Sequence, residues 1–432
     1  MWTAIGQLVY ITLITVYFSA ELQGLYYTLF SIVAFQTIIE LGMSTVLIQY
    51  AAHETDTNFR ILNTNNGTNY QYNNLKTVFL FGKRYYFYGS LIFIFLLMVL
   101  GSWFLSQNLH GSEIDWLGPF TSYVIFSGLN LMYSPFYSIV EGVGFVKQIT
   151  KIRLYRIVIA NFLGWVGITC GLELYCLAMS SVGHLMVSQY MYHFKFRNLF
   201  RNIQMSNELE NRDVFIKSIK KFKLRVALSW ISGYVLSYSL TPLILHNYGA
   251  EEAGKFGMTM TVVTGLFSVP IIWMRVKIPM LSKMIANGKI YETQKVYRSA
   301  RKKVTITSLI IIACSLIVYK ILLNYSIIKS DRFVSFPEII ILCICQVLQN
   351  IVYCFASYLR CYKLERFVLT AVMLPFTVYL PIFYLPKKNV MEITCVYAVS
   401  VIIVTFALNL IIYYKTINKN NLIQHTRINN IQ

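Results

Sequence analysis

Polar side chains recur at three- and four-residue spacing inside several apolar stretches of this 432-residue chain. Residues with that spacing share one face of a helix. Hydrocarbon offers such groups no hydrogen-bond partner, so each polar face must contact other helices or water. Three of the four faces end in a charged residue, which favours a shared hydrophilic cavity over helix packing alone. The four faces comprise Tyr123, Ser127, Asn130, Ser134, Ser138 and Glu141; Gly257, Thr261, Thr264, Ser268 and Arg275; Gln346, Gln349, Asn350, Tyr353, Ser357 and Arg360; and Thr3, Gln7, Tyr10 and Tyr17.

Two arginines are the candidate ligands for an anionic group in that cavity. Arg275 and Arg360 each end a polar face, and a guanidinium can bind phosphate through two parallel hydrogen bonds that Lys cannot reproduce. The alternative for both is that a long basic side chain extends to the membrane interface. The uncharged residues expected to line the same cavity are Asn130, Ser134, Thr264, Gln346, Gln349 and Tyr353.

Two carboxylates within apolar stretches are candidates for binding a coupling ion. Glu40 follows Ile39 and is surrounded by apolar residues, and an ionisable group at membrane depth is costly enough to suggest a function. Glu141 precedes a Gly-rich turn and can instead pair locally with Lys147. Both carboxylates fall towards the cytoplasmic ends of their predicted helices.

The sequence lacks the spacings that carry enzyme chemistry. It contains no G-x-x-x-x-G-K-[ST] phosphate-binding loop, no H-E-x-x-H, no G-x-S-x-G and no C-x-x-C pair. The eight cysteines form no spacing typical of a disulfide framework or a metal site. We therefore predict a protein that is not an enzyme and needs no metal or other cofactor.

Composition and charge place the chain in a membrane. Apolar residues make up 56% of the chain and charged residues only 13%, too few to cover a soluble globule. Most of the 38 Lys and Arg residues fall in six short clusters between alternate spans, and such clusters mark the cytoplasmic side. Both termini are therefore expected in the cytoplasm. We predict twelve spans, which begin near Trp2, Tyr26, Tyr85, Pro119, Arg153, Glu173, Leu224, Gly254, Val304, Phe336, Phe367 and Val390.

The longest basic connection divides these spans six and six. We predict an all-α fold with helical bundles at 1–194 and 224–414, a cytoplasmic linker at 195–223 and a cytoplasmic tail at 415–432. The net charge of +20 comes from loops on one side, so we expect contact with anionic membrane lipids and not with nucleic acid.

The N-terminal region also resembles a known family. The matching segments are FSAELQGLYYT at 18–28, SIVAFQ at 31–36, ELGMS at 40–44 and VLIQYAAHE at 46–54. They resemble the Wzx-like O-antigen and polysaccharide-unit flippases, the polysaccharide transporter family of the multidrug/oligosaccharidyl-lipid/polysaccharide (MOP) exporter superfamily. Elsewhere the likeness lies in the twelve-span, six-plus-six layout.

The resemblance implies two six-helix bundles that form a V around a central cationic cavity, as in MATE and other MOP proteins, with alternating access between leaflets. The substrate would be an oligosaccharide on undecaprenyl pyrophosphate, used in O-antigen or lipopolysaccharide biosynthesis. It would move from the cytoplasmic to the periplasmic leaflet of the bacterial inner membrane. A polysaccharide polymerase and a chain-length regulator would be partner proteins. Because the sequence has no ATP site, an ion gradient or the consumption of the units by periplasmic polymerisation would drive transport.

Two other transporter classes remain open. A MATE-like, cation-coupled multidrug exporter shares the superfamily and would use its acidic residues for the drug or the ion. A small-solute transporter of major-facilitator type also has six plus six helices, but the Glu40-Leu-Gly segment argues against it.

Overall fold

Long apolar helices dominate the chain wherever its structure is described. The computed structural model describes residues 2–40, 42–53, 69–109, 114–205, 238–286, 289–324, 330–362, 364, 366–384 and 389–417. Every regular element within these ranges is helical. Seven of the described helices are long and apolar enough to cross a membrane, so the prediction of an all-α, multi-pass membrane protein is confirmed. They are Ala20–Glu40, Leu75–Asn108, Val146–Thr169, Ala250–Arg275, Ile290–Ile321, Phe336–Cys361 and Val390–Ile417.

The chain divides into two compact units, a first unit at Trp2–Gly254 and a second unit at Lys255–Gln432. The predicted domain boundary at 195–223 stays a prediction, because residues 206–237 lie outside the described ranges. The helices of the first unit are α1 (Trp2–Tyr17), α2 (Ala20–Val33), α3 (Gln36–Glu40), α4 (Met43–His53), α5 (Asn69–Leu96), α6 (Ser102–Asn108), α7 (Leu117–Met132), α8 (Ser134–Gly142), α9 (Val146–Thr169), α10 (Tyr175–Tyr190), α11 (Arg197–Met205) and α12 (Leu240–Tyr248).

The second unit begins within α13 (Ala250–Phe267), which spans the division between the units. Short π-helical segments follow α5, α10 and α19. They lie at Leu97–Gly101, Met191–Lys195 and Val401–Leu408. The remaining helices are α14 (Ile272–Arg275), α15 (Ile278–Ala286), α16 (Ile290–Asn324), a 3-10 turn at Ser330–Arg332, α17 (Phe336–Cys361), α18 (Val368–Tyr384) and α19 (Val390–Ser400).

Helix starts and breaks follow local sequence. The Ser19 hydroxyl accepts a hydrogen bond from the Leu22 amide at 3.1 Å and caps α2. Ser335 and Glu338 form a capping box at the start of α17. Gly42 has a φ of 69°, a left-handed conformation that favours glycine, and it separates α3 from α4. This break leaves Glu40 at the end of α3.

Close approaches at glycine and contacts between aromatic rings both pack the helices. In the first unit a Cβ atom on Gly183 would lie 2.8 Å from the Ala160 Cα atom, so α9 and α10 approach closely because the residue is glycine. In the second unit the Tyr297 and Tyr358 rings stack with centroids 4.0 Å apart. Large aromatic contacts of this kind bury more area per residue than small-residue crossings.

Several helices extend beyond the apolar runs that predict them. α1, α17 and α19 begin at Trp2, Phe336 and Val390, as predicted, whereas α16 begins at Ile290 instead of near Val304. Charged residues continue the α16 helix past the apolar run, because Lys, Arg and Glu are good helix formers. Hydropathy therefore finds the apolar part of each helix and not its full length.

Candidate functional site

In the second unit the polar residues gather around a helix break. α13 ends at Phe267, and Arg275 is the last residue of the short helix α14. The Arg275 side chain is exposed. Its Nε atom donates a hydrogen bond to the Tyr353 hydroxyl at 3.3 Å, and its guanidinium carbon lies 5.9 Å from the centre of the Tyr353 ring. The break and the α17 tyrosine together orient the guanidinium.

The other predicted residues of this unit differ in their burial and in their hydrogen-bond partners. Gln349 is partly buried, and its Nε2 atom donates to the Tyr397 hydroxyl at 2.8 Å. Gln346 is partly buried and Arg360 is exposed. The Thr264 hydroxyl donates to the Met260 carbonyl of its own helix at 2.7 Å, which leaves it only as an acceptor. The structure thus brings Arg275 and Tyr353 into contact. Gln346, Gln349 and Arg360 lie on the same helix as Tyr353, and Thr264 lies on α13.

Acidic side chains of the second unit lie away from this break. Glu292, Glu338 and Glu392 each lie in the first turn of a helix, and Asp331 lies in the 3-10 turn before α17. A carboxylate in a first helical turn interacts favourably with the helix dipole. None of these four carboxylates lies on α14, the helix that ends at Arg275.

In the first unit the predicted cavity residues are engaged in helix packing. Asn130 is buried, and its Nδ2 atom donates to the carbonyls of Phe126 at 2.9 Å and Ser181 at 2.7 Å. The second of these bonds joins α7 to α10. Ser134 is partly buried, and its carbonyl accepts from the Ser138 hydroxyl at 3.1 Å. These two residues belong to a different unit from Arg275.

Glu40 lies within a set of hydroxyl donors. The Ser44 hydroxyl donates to Glu40 Oε1, and the Tyr86 hydroxyl donates to the same oxygen at 3.2 Å. The Ser44 and Tyr86 hydroxyls are 2.9 Å apart. Tyr85, the neighbour on α5, donates to the Ile39 carbonyl at 2.5 Å. A carboxylate held by hydroxyl groups can exchange one of these contacts for a cation.

Glu141 has a partner that sequence reasoning did not name. Its Oε2 atom lies 2.5 Å from Nη2 of Arg153 on α9, and the two side chains are 22% and 44% exposed. The sequence suggested Lys147 as a local partner, but Lys147 is exposed and α9 turns Arg153 towards Glu141. Arg153 lies on the next helix, beyond the local spacing from which a partner of Glu141 could be predicted.

Sequence reasoning also missed Arg156. It counts as one of the basic residues near the start of α9, yet it lies well inside the helix with its guanidinium carbon 5.2 Å from the centre of the Tyr137 ring. The signal available in the sequence is its distance from the start of the helix, which exceeds that of the exposed Lys147 and Lys151. Interfacial Lys and Arg lie in the first or last turns.

Comparison with known proteins defines the class of fold. No known sequence family matches the chain, and no curated protein is significantly similar in sequence. Among solved structures, an inward-facing multidrug resistance MATE family transporter of the MOP superfamily is similar, with a TM-score of 0.67 and 10% identity over 98% of this chain and 96% of that one. The lipid II flippase MurJ in an inward closed conformation gives a TM-score of 0.59 and 13% identity over 92% and 86%.

A third similar structure is the MATE multidrug transporter DinF-BH in complex with R6G, with a TM-score of 0.58 and 14% identity over 96% of this chain and 92% of that one. All three matches extend over most of both chains. The protein therefore has the fold that MATE transporters and MurJ share.

Proposed function

We propose that this protein is a flippase for undecaprenyl-pyrophosphate-linked oligosaccharide units, such as an O-antigen repeat. It moves them from the cytoplasmic to the periplasmic leaflet of the bacterial inner membrane by alternating access. The observation that carries the proposal is the exposed guanidinium of Arg275, held against Tyr353 in a unit whose described acidic side chains lie at helix starts. A guanidinium binds pyrophosphate oxygens through paired hydrogen bonds.

Physical chemistry explains why such a molecule needs a protein. A sugar chain with a pyrophosphate cannot lose its hydration to enter hydrocarbon. A polar site with a fixed cation can replace that hydration while the lipid tail remains in the membrane. The proposed ligands of the second unit are Arg275, Arg360, Thr264, Gln346, Gln349 and Tyr353. Asn130 and Ser134 of the first unit would contribute mainly by holding their helices in place.

Coupling to an ion gradient is assigned to Glu40 and Glu141 of the first unit. Glu40 is the stronger candidate, because its described contacts are neutral hydroxyl groups. Glu141 already pairs with Arg153. In this proposal both termini are cytoplasmic, and a polymerase and a chain-length regulator act on the flipped units.

A second candidate function is cation-coupled multidrug export. The similarity to MATE transporters favours it, and Glu40 would then bind the cationic drug or the ion. The two functions differ in the charge of the cargo. Export of cationic dyes that depends on Glu40 and not on Arg275 would support the drug exporter.

The deciding experiment replaces Arg275. In cells that need this protein for surface polysaccharide, Arg275→Ala should lower surface polysaccharide at least about tenfold, because a charged hydrogen bond to phosphate is lost. Lipid-linked units should accumulate in the inner leaflet at unchanged protein abundance. Lys277→Ala is the matched control, since Lys277 is also exposed and lies just beyond the end of α14.

Arg275→Lys separates charge from geometry. It should recover only part of the function if both guanidinium hydrogen bonds matter, and most of it if positive charge alone suffices. Normal surface polysaccharide with Arg275→Ala at equal abundance would show that this arginine only extends to the membrane interface.

A further inference from the structure

A basic side chain lies inside the first unit with a buried, unpaired donor. The guanidinium carbon of Arg156, on α9, lies 5.2 Å from the centre of the Tyr137 ring on α8. Its Nε atom is enclosed by protein and makes no hydrogen bond within the described part of the chain. The side chain as a whole remains partly accessible. Arg156 thus has one enclosed donor that no described residue satisfies, while the rest of its side chain is partly accessible.

The carboxylates closest to Arg156 have other partners. Glu141 pairs with Arg153, one turn earlier on α9. Glu40 interacts with Arg156 only at longer range, and its Oε1 atom accepts hydrogen bonds from two hydroxyl groups. A buried cation is unfavourable unless it is paired and hydrogen-bonded. Within the described residues, neither carboxylate supplies that contact.

His184 on helix α10 also has a buried nitrogen atom that lacks a hydrogen-bond partner among the described residues. His184 on α10 lies close enough to interact electrostatically with Arg156. Its Nδ1 atom is enclosed and has no hydrogen-bond partner among the described residues. The ring also donates a hydrogen bond to the Arg156 backbone carbonyl, so a neutral imidazole keeps its proton on Nε2 and leaves Nδ1 as an acceptor. The Tyr137 hydroxyl lies 3.0 Å from Ser188 Oγ, so Tyr137 offers Arg156 its ring face.

We infer that Arg156 binds an oxyanion, the phosphate or carboxylate group of the transported molecule, inside the first unit. The guanidinium presents parallel N–H groups to such an anion, and the Tyr137 ring holds it from one side. Glu40, which interacts electrostatically with Arg156, would be its counter-charge when no anion is bound. The inference rests on the proposed function for the identity of the anion, and it adds a binding residue in a different unit from Arg275.

The test measures binding of inorganic pyrophosphate to the purified full-length protein by calorimetry. All variants carry Arg275→Ala, so that the site of the second unit is removed from every measurement. We expect pyrophosphate to bind this background, and added Arg156→Gln to weaken binding at least about tenfold. Lys151→Gln is the matched control, because Lys151 is on the same helix and lies over a tyrosine ring at 5.7 Å but is exposed. It should leave the affinity unchanged.

Thermal unfolding separates binding from a structural role. Without pyrophosphate, Arg156→Gln should unfold at the same temperature as the background or a higher one, because it removes a charge that lacks a partner. With pyrophosphate, the background should gain stability and Arg156→Gln should not. A lower unfolding temperature that Arg156→Lys restores, with unchanged pyrophosphate affinity, would show that the residue only supports the fold.

Two results distinguish this inference from the proposed function. If Arg275→Ala alone abolishes pyrophosphate binding, Arg156 is not a second site, while the role of Arg275 gains support. If Arg275→Ala leaves surface polysaccharide normal and pyrophosphate affinity still depends on Arg156, the anion site of the first unit stands and the site at Arg275 does not.

Discussion

Asn130 on α7 and Asn350 on α17 are both buried, and each lies in the middle of a polar face. Each also donates to a backbone carbonyl of another helix. The Nδ2 atom of Asn130 lies 2.7 Å from the Ser181 carbonyl oxygen, and that of Asn350 lies 3.0 Å from the Phe267 carbonyl oxygen. In the predicted six-plus-six layout these helices are the fourth and tenth spans, that is, the fourth of each half.

The residues around the two asparagines differ. Next to Asn130, the Ser127 and Ser181 hydroxyls lie 3.3 Å apart and join the same two helices. Beyond Asn350, the polar face of α17 continues to Tyr353, which holds the exposed Arg275. The α7 residues around Asn130 therefore make contacts between packed helices, whereas the α17 face continues to a tyrosine that contacts an exposed arginine. Helical spacing in the sequence does not separate the two cases, because the partners come from other helices.

The largest effect that sharpens this contrast concerns the carboxylates of the first unit. If Glu40 binds the coupling ion and the polar residues of α7 only pack helices, Glu40→Gln should lower transport at least about tenfold, because it removes the ion-binding charge. Glu141→Gln should lower it far less, because it breaks a half-exposed ion pair, an interaction of about 0–1 kcal/mol. Transport assayed at equal protein abundance measures both. Equal losses would mean that the Glu141–Arg153 pair also takes part in coupling.

The next effect concerns the two buried asparagines. Asn130→Ala and Asn350→Ala should each destabilise the folded protein by about 1–2 kcal/mol, because each removes a hydrogen bond between helices. Lower thermal unfolding temperatures in detergent would show this, and transport per folded molecule should stay near that of the parent. The contrast between the two faces would fail if Asn130→Ala abolished transport without changing stability.

The smallest effect concerns the hydroxyl of Tyr353. Tyr353→Phe keeps the ring beneath Arg275 but removes the hydrogen bond to its Nε atom. The donor is a charged guanidinium, but the bond is 3.3 Å long and exposed. Its loss should therefore cost only about 0.5–1.5 kcal/mol and lower transport by about two- to tenfold. Tyr353→Ala removes the ring as well and should have a larger effect. If Tyr353→Phe has no effect while Tyr353→Ala does, the ring alone orients Arg275.

Several features of the fold could be predicted because they depend on local pattern. The starts of α1, α17 and α19 follow from apolar runs and caps. The lengths of α5 and α16 could not be predicted, because a hydropathy pattern does not show that a helix continues through polar residues. Residues 69–76, rich in Asn and Tyr, already belong to α5. The contact between Arg275 and Tyr353 follows from neither helix alone.

The sequence by itself determined that the chain is a helical membrane protein, because long apolar runs and one-sided basic clusters have few other physical explanations. It also placed Arg275, Glu40 and the polar faces on particular helices. Tertiary structure decided which of those polar groups are used in packing and that Arg153, not Lys147, pairs with Glu141. It alone revealed Arg156, because burial and the absence of a hydrogen-bond partner depend on residues brought together from separate helices.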